Sequence, residues 1–99
     1  MPYIVLFEDN EDQAHQRQAH MADHLAFLGQ NAGAITAAGP LVDQAGVGAG
    51  GLWLVEADSA AAVQDLVEAD PFWPTGMRKS VRVLRWHQVF AEGEALVAR

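Results

Sequence analysis

Cysteine is absent from this chain of 99 residues. Its absence excludes disulfide bonds, zinc sites built on thiolates and enzymes that use a cysteine nucleophile. Basic residues are scarce as well: six lysines and arginines stand against 13 aspartates and glutamates, for a formal net charge of −7. Proteins that bind nucleic acids through the phosphate backbone need a basic surface, so this composition predicts no nucleic-acid partner.

Long hydrophobic runs are missing too. No stretch approaches the roughly 20 apolar residues that cross a bilayer, and Met1–Asn10 has no basic region ahead of a long apolar segment, as a signal peptide has. We therefore expect a cytoplasmic protein with no membrane partner. Hydrophobic residues still make up 51% of the chain, which is ample for one folded domain. We expect this domain over residues 1–90 and a C-terminal tail over residues 91–99, either a short helix or frayed.

Four of the few basic residues are clustered near the C-terminal end: Arg78, Lys79, Arg82 and Arg85. One interpretation is a solvated strand edge whose charges prevent edge-to-edge aggregation. The other is that one of these arginines faces an anionic substrate. The sequence alone leaves both open.

Hydrophobic periodicity and turn residues divide the chain into strands and helices. Tyr3–Glu8 is a short run of aromatic and β-branched residues, which is typical of a strand. Residues 13–31 lack proline and β-branched side chains and predict a helix with an apolar stripe of Met21, Ala22, Leu25 and Leu28. The further predicted elements are a strand over Ala34–Gly39, a glycine-rich hairpin loop over Leu41–Gly51, a strand over Leu52–Glu56, a helix over Ala60–Glu68, a loop over Asp70–Gly76 and a strand over Ser80–Phe90.

This order of elements is that of the split βαβ, or ferredoxin-like, fold, an α+β fold with both helices on one face of a four-stranded antiparallel sheet. The other face is apolar too, since Leu52 and Leu54 alternate with Trp53 and Val55 along the third strand. The helices can cover only one face. Each large apolar side chain left in water forgoes about 1.5–3 kcal/mol of burial. The pattern therefore predicts a homodimer with two sheets packed face to face.

Several segments resemble those of one protein family. The segments are His20–Leu28 with its His-Leu-Ala helix, Thr36–Leu41 with its Ala-Gly-Pro-Leu strand end, Glu68–Phe72 with its Ala-Asp-Pro-Phe loop, and the closing strand Val81–Phe90. They are similar, in the same order, to motifs of the YCII-like (YciI-type) family. The resemblance implies a dimeric α/β barrel of ferredoxin-like subunits. Most members have no established reaction, a minority resemble dehydrochlorinases of chlorinated hydroxyquinones, and the wider superfamily includes muconolactone isomerases.

The resemblance also implies an active site. His24 and Asp70 match the family's histidine and aspartate, and Arg17 matches an arginine often found earlier on the same helix. Two departures leave the substrate open. Met21 and Ala22 stand where the family often has a basic residue and a proline, and the loop carries Phe72 and Trp73 instead of a lone tyrosine, so it offers no phenol hydroxyl.

The chemistry of histidine supports this pair. Histidine gives and takes a proton near neutral pH, and a carboxylate on one ring nitrogen selects the tautomer. Asp70 lies in a loop constrained by Pro71 and Pro74, at an end of the sheet that the helix carrying His24 can reach. The alternative is that His24 is a half-buried helix histidine and Asp70 a turn former before a proline.

A metal site is the alternative hypothesis for the histidines of this helix. His20 and His24 have the i, i+4 spacing of metal ligands. Zinc needs a third ligand, and nothing in the sequence singles out His15, Asp23 or His87 for that role. We therefore expect no metal.

Further residues are candidates for binding the substrate. We expect these to be Arg17, His20, Gly39, Pro40, Phe72 and Trp73. Whether Tyr3 or Asp43 also lines the site is left open.

Two functional hypotheses follow. In the first, the protein is a small acid–base enzyme in which His24, oriented by Asp70, moves a proton on a small, cyclic or aromatic, anionic substrate. The step is an elimination, isomerisation or lyase reaction without an organic cofactor. In the second, the protein is a non-catalytic dimeric module that binds a metabolite or serves as an accessory subunit. Asp70→Asn abolishes turnover under the first hypothesis and leaves ligand binding intact under the second.

Overall fold

The computed structural model describes residues 1–96. Its main elements are β1 (Pro2–Asp9), α1 (His15–Gln30), β2 (Ile35–Val42), β3 (Gly48–Glu56), α2 (Ala60–Ala69), β4 (Arg78–Arg85), β5 (Phe90–Ala91) and β6 (Glu94–Ala95). Single-turn 3₁₀ helices at Glu11–Gln13 and Trp73–Thr75 precede α1 and β4. Within this part of the chain, no helix combines the length and apolar character needed to cross a membrane.

The four long strands form one antiparallel sheet in the order β2-β3-β1-β4. Phe27 of α1 and Val63 and Val67 of α2 belong to one buried cluster with the sheet. Both helices therefore pack on the same face, and the predicted α+β, ferredoxin-like arrangement is confirmed.

Side-chain alternation along the central strands builds the core. Val5 lies opposite Trp53 of β3 and Val83 of β4. Val5 is fully buried and Trp53 is 2% exposed, because the helices cover this face. The core therefore lies between the helices and one side of the sheet.

The second face of the sheet carries the alternate side chains of the same strands. Ile4 lies opposite Leu54 on one side and Leu84 on the other. Leu84 and the nearby Trp86 are each 37% exposed. This apolar surface, which we call the open face, has no helix over it.

Helix α1 packs through a stripe that was predicted only in part. The predicted apolar stripe included Leu25, which is 57% exposed, whereas the buried residues of α1 are His24 and Phe27. Each residue turns the helix by about 100° because there are 3.6 residues per turn. The helix is rotated so that His24 and Phe27 are buried and Leu28 packs against the same core, while Leu25 faces solvent.

The predicted hairpin loop over Leu41–Gly51 is too long. Strand β2 continues through Pro40 to Val42, and β3 begins at Gly48. Pro40 is tolerated because β2 is an edge strand, where a missing N–H costs little. Gly48, Gly50 and Gly51 therefore belong to β3. Glycine is required at position 50, because its φ is +93° and a Cβ there would lie 1.8 Å from the carbonyl oxygen of Phe7 in β1.

The predicted last strand, Ser80–Phe90, is also wrong at its C-terminal end. β4 ends at Arg85, which lies opposite Tyr3. The N–H of Trp86 still donates to the carbonyl of Pro2, the first residue of β1, at 2.9 Å, and β1 offers no residue beyond it. Phe90 instead begins a separate hairpin of β5 and β6. The tail was predicted as a short helix or frayed, and up to residue 96 it holds this hairpin; residues 97–99 lie outside the described residues. The domain boundary at residue 90 stays a prediction.

Candidate active site

The site is built where α1, the end of α2 and the start of β4 meet. His24 projects from the middle of α1, and Asp70 is the C-terminal cap residue of α2. They are 7% and 1% exposed. Nδ1 of His24 and Oδ1 of Asp70 are 2.8 Å apart. The contact between His24 and Asp70 that the sequence analysis predicted is therefore present, and it is buried.

Asp70 receives hydrogen bonds on both carboxylate oxygens. Oδ1 also accepts the backbone N–H of Phe72 at 3.0 Å, and Oδ2 accepts Nη2 of Arg78 at 2.8 Å. An ionised carboxylate only accepts hydrogen bonds. We therefore assign the proton between the pair to Nδ1 of His24; in the neutral tautomer that carries this proton, Nε2 has the lone pair.

The imidazole ring of His24 is held by stacking as well. Its centroid lies 4.0 Å from that of Phe72, with 16° between the ring planes. Phe72 is fully buried, so it cannot turn away. The ring of His24 is thereby fixed by a hydrogen bond at one edge and an aromatic ring on one face.

Arg78 is a residue of this site that the sequence analysis did not assign to it. Its side chain is 6% exposed, and its guanidinium carbon lies 3.5 Å from the ring centroid of Phe7. Burial lowers the pKa of Arg78 to about 10, against the opposing effect of the Asp70 charge, so it stays protonated at neutral pH. The sequence analysis grouped it with Lys79, Arg82 and Arg85, which are exposed.

A β-bulge explains why strand alternation did not reveal Arg78. Phe7 pairs with Val81 on the helix-covered face, and two residues further along β1, Asp9 pairs with Arg78. The register shifts by one residue between Glu8 and Asp9. This extra residue moves Arg78 to the buried face, whereas strict alternation from Val81 puts it on the open face.

Arg17 has a carboxylate partner of its own. Its Nη2 lies 2.7 Å from Oδ2 of Asp9, and the two side chains are 30% and 26% exposed. The guanidinium carbon of Arg17 also lies 5.7 Å from the ring centroid of Phe72. The sequence analysis gave Asp9 no role and missed this pair, because the partners lie on different elements.

Two cavities adjoin these residues. A small one of about 120 Å³ is lined by His24 together with Gly39, Pro40 and Trp53, and a larger one of about 510 Å³ by Asp9, Met77 and the N-terminal part of β3. Arg17 lines both. Arg17 thus borders both the small cavity that His24 lines and the larger one.

Among the described residues, the other candidate side chains make no hydrogen bond to His24 or Asp70. His20 and Trp73 line neither of these two cavities within the described chain, and their roles stay predictions. Tyr3 is a core residue, 6% exposed. Asp43 closes the loop between β2 and β3 by accepting the N–H groups of Ala45 and Val47. Residues 1–96 contain no group of three His, Asp or Glu side chains placed to hold a metal ion.

Comparison with known proteins finds similarity of both sequence and structure. A family model described as the YCII-related domain matches residues 1–87. A solved structure, 5-chloro-2-hydroxyhydroquinone dehydrochlorinase (TftG) from Burkholderia phenoliruptrix AC1100 in complex with 2,5-dihydroxybenzoquinone, is similar with a TM-score of 0.76 and 27% sequence identity. The similarity covers 88% of this chain and 94% of that one. No curated protein sequence matches significantly.

Proposed function

Since the chain belongs to the YCII-related domain family, we propose that it is a small-molecule acid–base enzyme that uses His24 as its proton-transfer group and Asp70 to orient it. The observation that carries the proposal is the buried 2.8 Å contact between Nδ1 of His24 and Asp70, beside a cavity that His24 lines. A histidine with one nitrogen held by a carboxylate presents the other as a base.

The reaction class we propose is elimination from a hydroxylated ring. TftG, named a dehydrochlorinase, shares 27% identity over most of both chains. Conversion of a chlorinated trihydroxybenzene to a hydroxyquinone breaks two O–H bonds and the C–Cl bond. The first hydroxyl proton moves to the ring carbon that bears chlorine, which forms one carbonyl and a C–H bond. Loss of the second hydroxyl proton forms the second carbonyl while chloride leaves with the electron pair of the C–Cl bond, so the net loss is HCl. The product is a hydroxyquinone and no oxidant is needed. Nε2 of His24 accepts the hydroxyl proton, so the protein supplies a base in a defined position.

Arg17 is the proposed partner for the substrate's negative charge. It lines both cavities, and its ion pair with Asp9 is partly exposed. Gly39 and Pro40 form the opposite wall of the small cavity without bulky side chains. A ring oxygen that loses its proton to His24 gains a charge that Arg17 stabilises.

Turnover of a chlorinated trihydroxybenzene tests this proposal. We expect the purified protein to release chloride from 5-chloro-2-hydroxyhydroquinone and to form one hydroxyquinone per chloride, measured by a chloride electrode and absorbance. A parallel panel of unchlorinated ring diols and lactones covers isomerase and lyase reactions. If ring compounds raise the melting temperature but none is converted, the protein is a binding module and the enzymatic proposal is wrong.

We also propose that a second copy of the chain covers the open face. Ile4, Leu54 and Leu84 lie side by side there, and Leu84 is 37% exposed in the single chain. Two identical apolar faces related by a two-fold axis bury each other, which relieves the cost of hydrating them.

The mass in solution tests the dimer. We expect twice the chain mass of 10.7 kDa at micromolar concentration, by light scattering or sedimentation. Leu54→Lys places a charge in the middle of the open face and is expected to shift the mass to that of one chain. Val47→Lys, in the exposed loop between β2 and β3, is the matched control and is expected to remain dimeric. A single-chain mass for the unmodified protein contradicts the proposal.

A further inference from the structure

We propose that Arg78 is a positioning residue of this site: it holds the Asp70 carboxylate and offsets its charge, so that His24 stays neutral with its proton on Nδ1. The consequence for catalysis rests on the proposed function, whereas the protonation state of His24 does not. Three features of Arg78 support this role: its place at the start of β4, its packing against aromatic rings and its charge partners.

The place of Arg78 follows from the β-bulge at the start of β4. Asp9 pairs with Arg78 after the register shift, so the side chain enters the helix-covered face instead of solvent. It reaches Oδ2 of Asp70 at 2.8 Å, on the opposite carboxylate oxygen from the one that contacts His24. The Asp70 carboxylate therefore lies between the guanidinium of Arg78 and the imidazole of His24 and contacts both.

Aromatic rings fix the guanidinium in this place. Its carbon lies 3.5 Å from the ring centroid of Phe7 and 5.4 Å from the nearer ring centroid of Trp53. These faces attract a cation, but they supply no hydrogen-bond acceptor. Within residues 1–96, Nε of Arg78 is buried without a partner. Burying an unsatisfied donor costs free energy. We take the bond from Nη2 of Arg78 to Asp70 as the interaction that offsets this cost.

The charges around His24 balance only when Arg78 is present. Asp70 carries the negative charge that contacts the imidazole directly, and Arg78 carries the positive charge that offsets it. Asp9 and Arg17, the other charges that act on Arg78, pair with each other. Without Arg78, a buried lone carboxylate favours the doubly protonated imidazolium of His24. An imidazolium has no lone pair and cannot accept a proton from a substrate.

The protonation state of His24 is read directly from its ring nitrogens by NMR on protein labelled with ¹⁵N-histidine. At pH 7 we expect the wild-type signals to show the neutral ring with the proton on Nδ1. In Arg78→Gln, which keeps a donor but removes the charge, we expect the imidazolium pattern. In Arg78→Lys, the restored charge is expected to restore the neutral pattern. Lys79→Gln removes the neighbouring exposed charge and is the control, with signals like those of the wild type.

Kinetics supply a second readout. If the proposed function holds, Arg78→Gln is expected to lower kcat at pH 7 by about 10²-fold, since general base catalysis is lost, with KM little changed. Raising the pH is expected to recover part of the loss, because the second proton then leaves His24. A variant that had only lost packing shows no such recovery.

Two results overturn this inference. One is a neutral Nδ1–H ring in folded Arg78→Gln. The other needs no variant: an imidazolium or an Nε2–H tautomer in the wild type at pH 7 overturns it even if Arg78→Gln fails to fold. The NMR spectra require no substrate, so absence of turnover contradicts the proposed function and leaves the assignment of Arg78 standing.

Discussion

Replacing His24 by glutamine is expected to lower kcat for chloride release by at least about 10²-fold, because glutamine cannot accept a proton in the transition state. Glutamine is polar and nearly as long as histidine, and its amide can form hydrogen bonds in the buried space. The buried position, 7% exposed, therefore keeps a polar group, and the fold is expected to persist. Initial rates and a circular dichroism spectrum of the variant measure both effects.

A second histidine on the same helix provides the control for this variant. His15, the first residue of α1, is exposed and lines neither of the cavities described above. His15→Gln is expected to keep wild-type kcat and KM. A folded His24→Gln enzyme with a rate within about threefold of the wild type would remove proton transfer by His24 from the mechanism, since a lost general base costs about 10²-fold or more.

Replacing Asp70 by alanine is expected to have the largest effect on stability. The change leaves three donors without their acceptor: Arg78, the ring of His24 and the backbone N–H of Phe72. Breaking a buried ion pair by removing one partner costs about 3–5 kcal/mol, because the remaining charge is left unpaired. A domain of this size has about 5–15 kcal/mol in total. Urea unfolding followed by tryptophan fluorescence measures the free energy of unfolding.

The double variant separates the unpaired charge from lost packing. Adding Arg78→Met to Asp70→Ala removes the unpaired cation and keeps an aliphatic stem against Phe7, so it is expected to recover part of the lost free energy of unfolding. Asp65→Ala, an exposed position on α2, is the control and is expected to change the free energy of unfolding by less than about 0.5 kcal/mol. A loss below about 1 kcal/mol for Asp70→Ala would contradict the buried ion pair, for which removal of one partner costs far more.

The fold could be predicted because its signals are local. The short apolar runs Tyr3–Glu8 and Leu52–Glu56 indicate strands, and the helix-forming composition of residues 13–31 indicates a helix. The order of these elements then leaves few arrangements of the sheet. The ends of the elements were predicted less accurately than their types, since β2 runs through Pro40 and β4 stops at Arg85. Both ends depend on the length of the neighbouring strand, which is not a local property.

The candidate site, like the fold, could be predicted only in part. His24 and Asp70 were named because the family resemblance pointed to them, and their contact is present at 2.8 Å. Arg78 and Asp9 were not named as site residues. A one-residue bulge decides which face Arg78 occupies, and the pair of Asp9 with Arg17 depends on how α1 lies against the end of β1. Neither can be obtained from hydrophobic periodicity.

Contact between a ring ligand and His24 is the most direct test of the account. Protein labelled with ¹⁵N-histidine is titrated with 2,5-dihydroxybenzoquinone, the compound bound in the TftG structure, and the ring signals of all histidines are followed. The account predicts a saturable shift at His24, with the exposed His15 and His87 unchanged. Saturable binding that leaves the His24 signals in place, or no binding up to millimolar ligand, would contradict it.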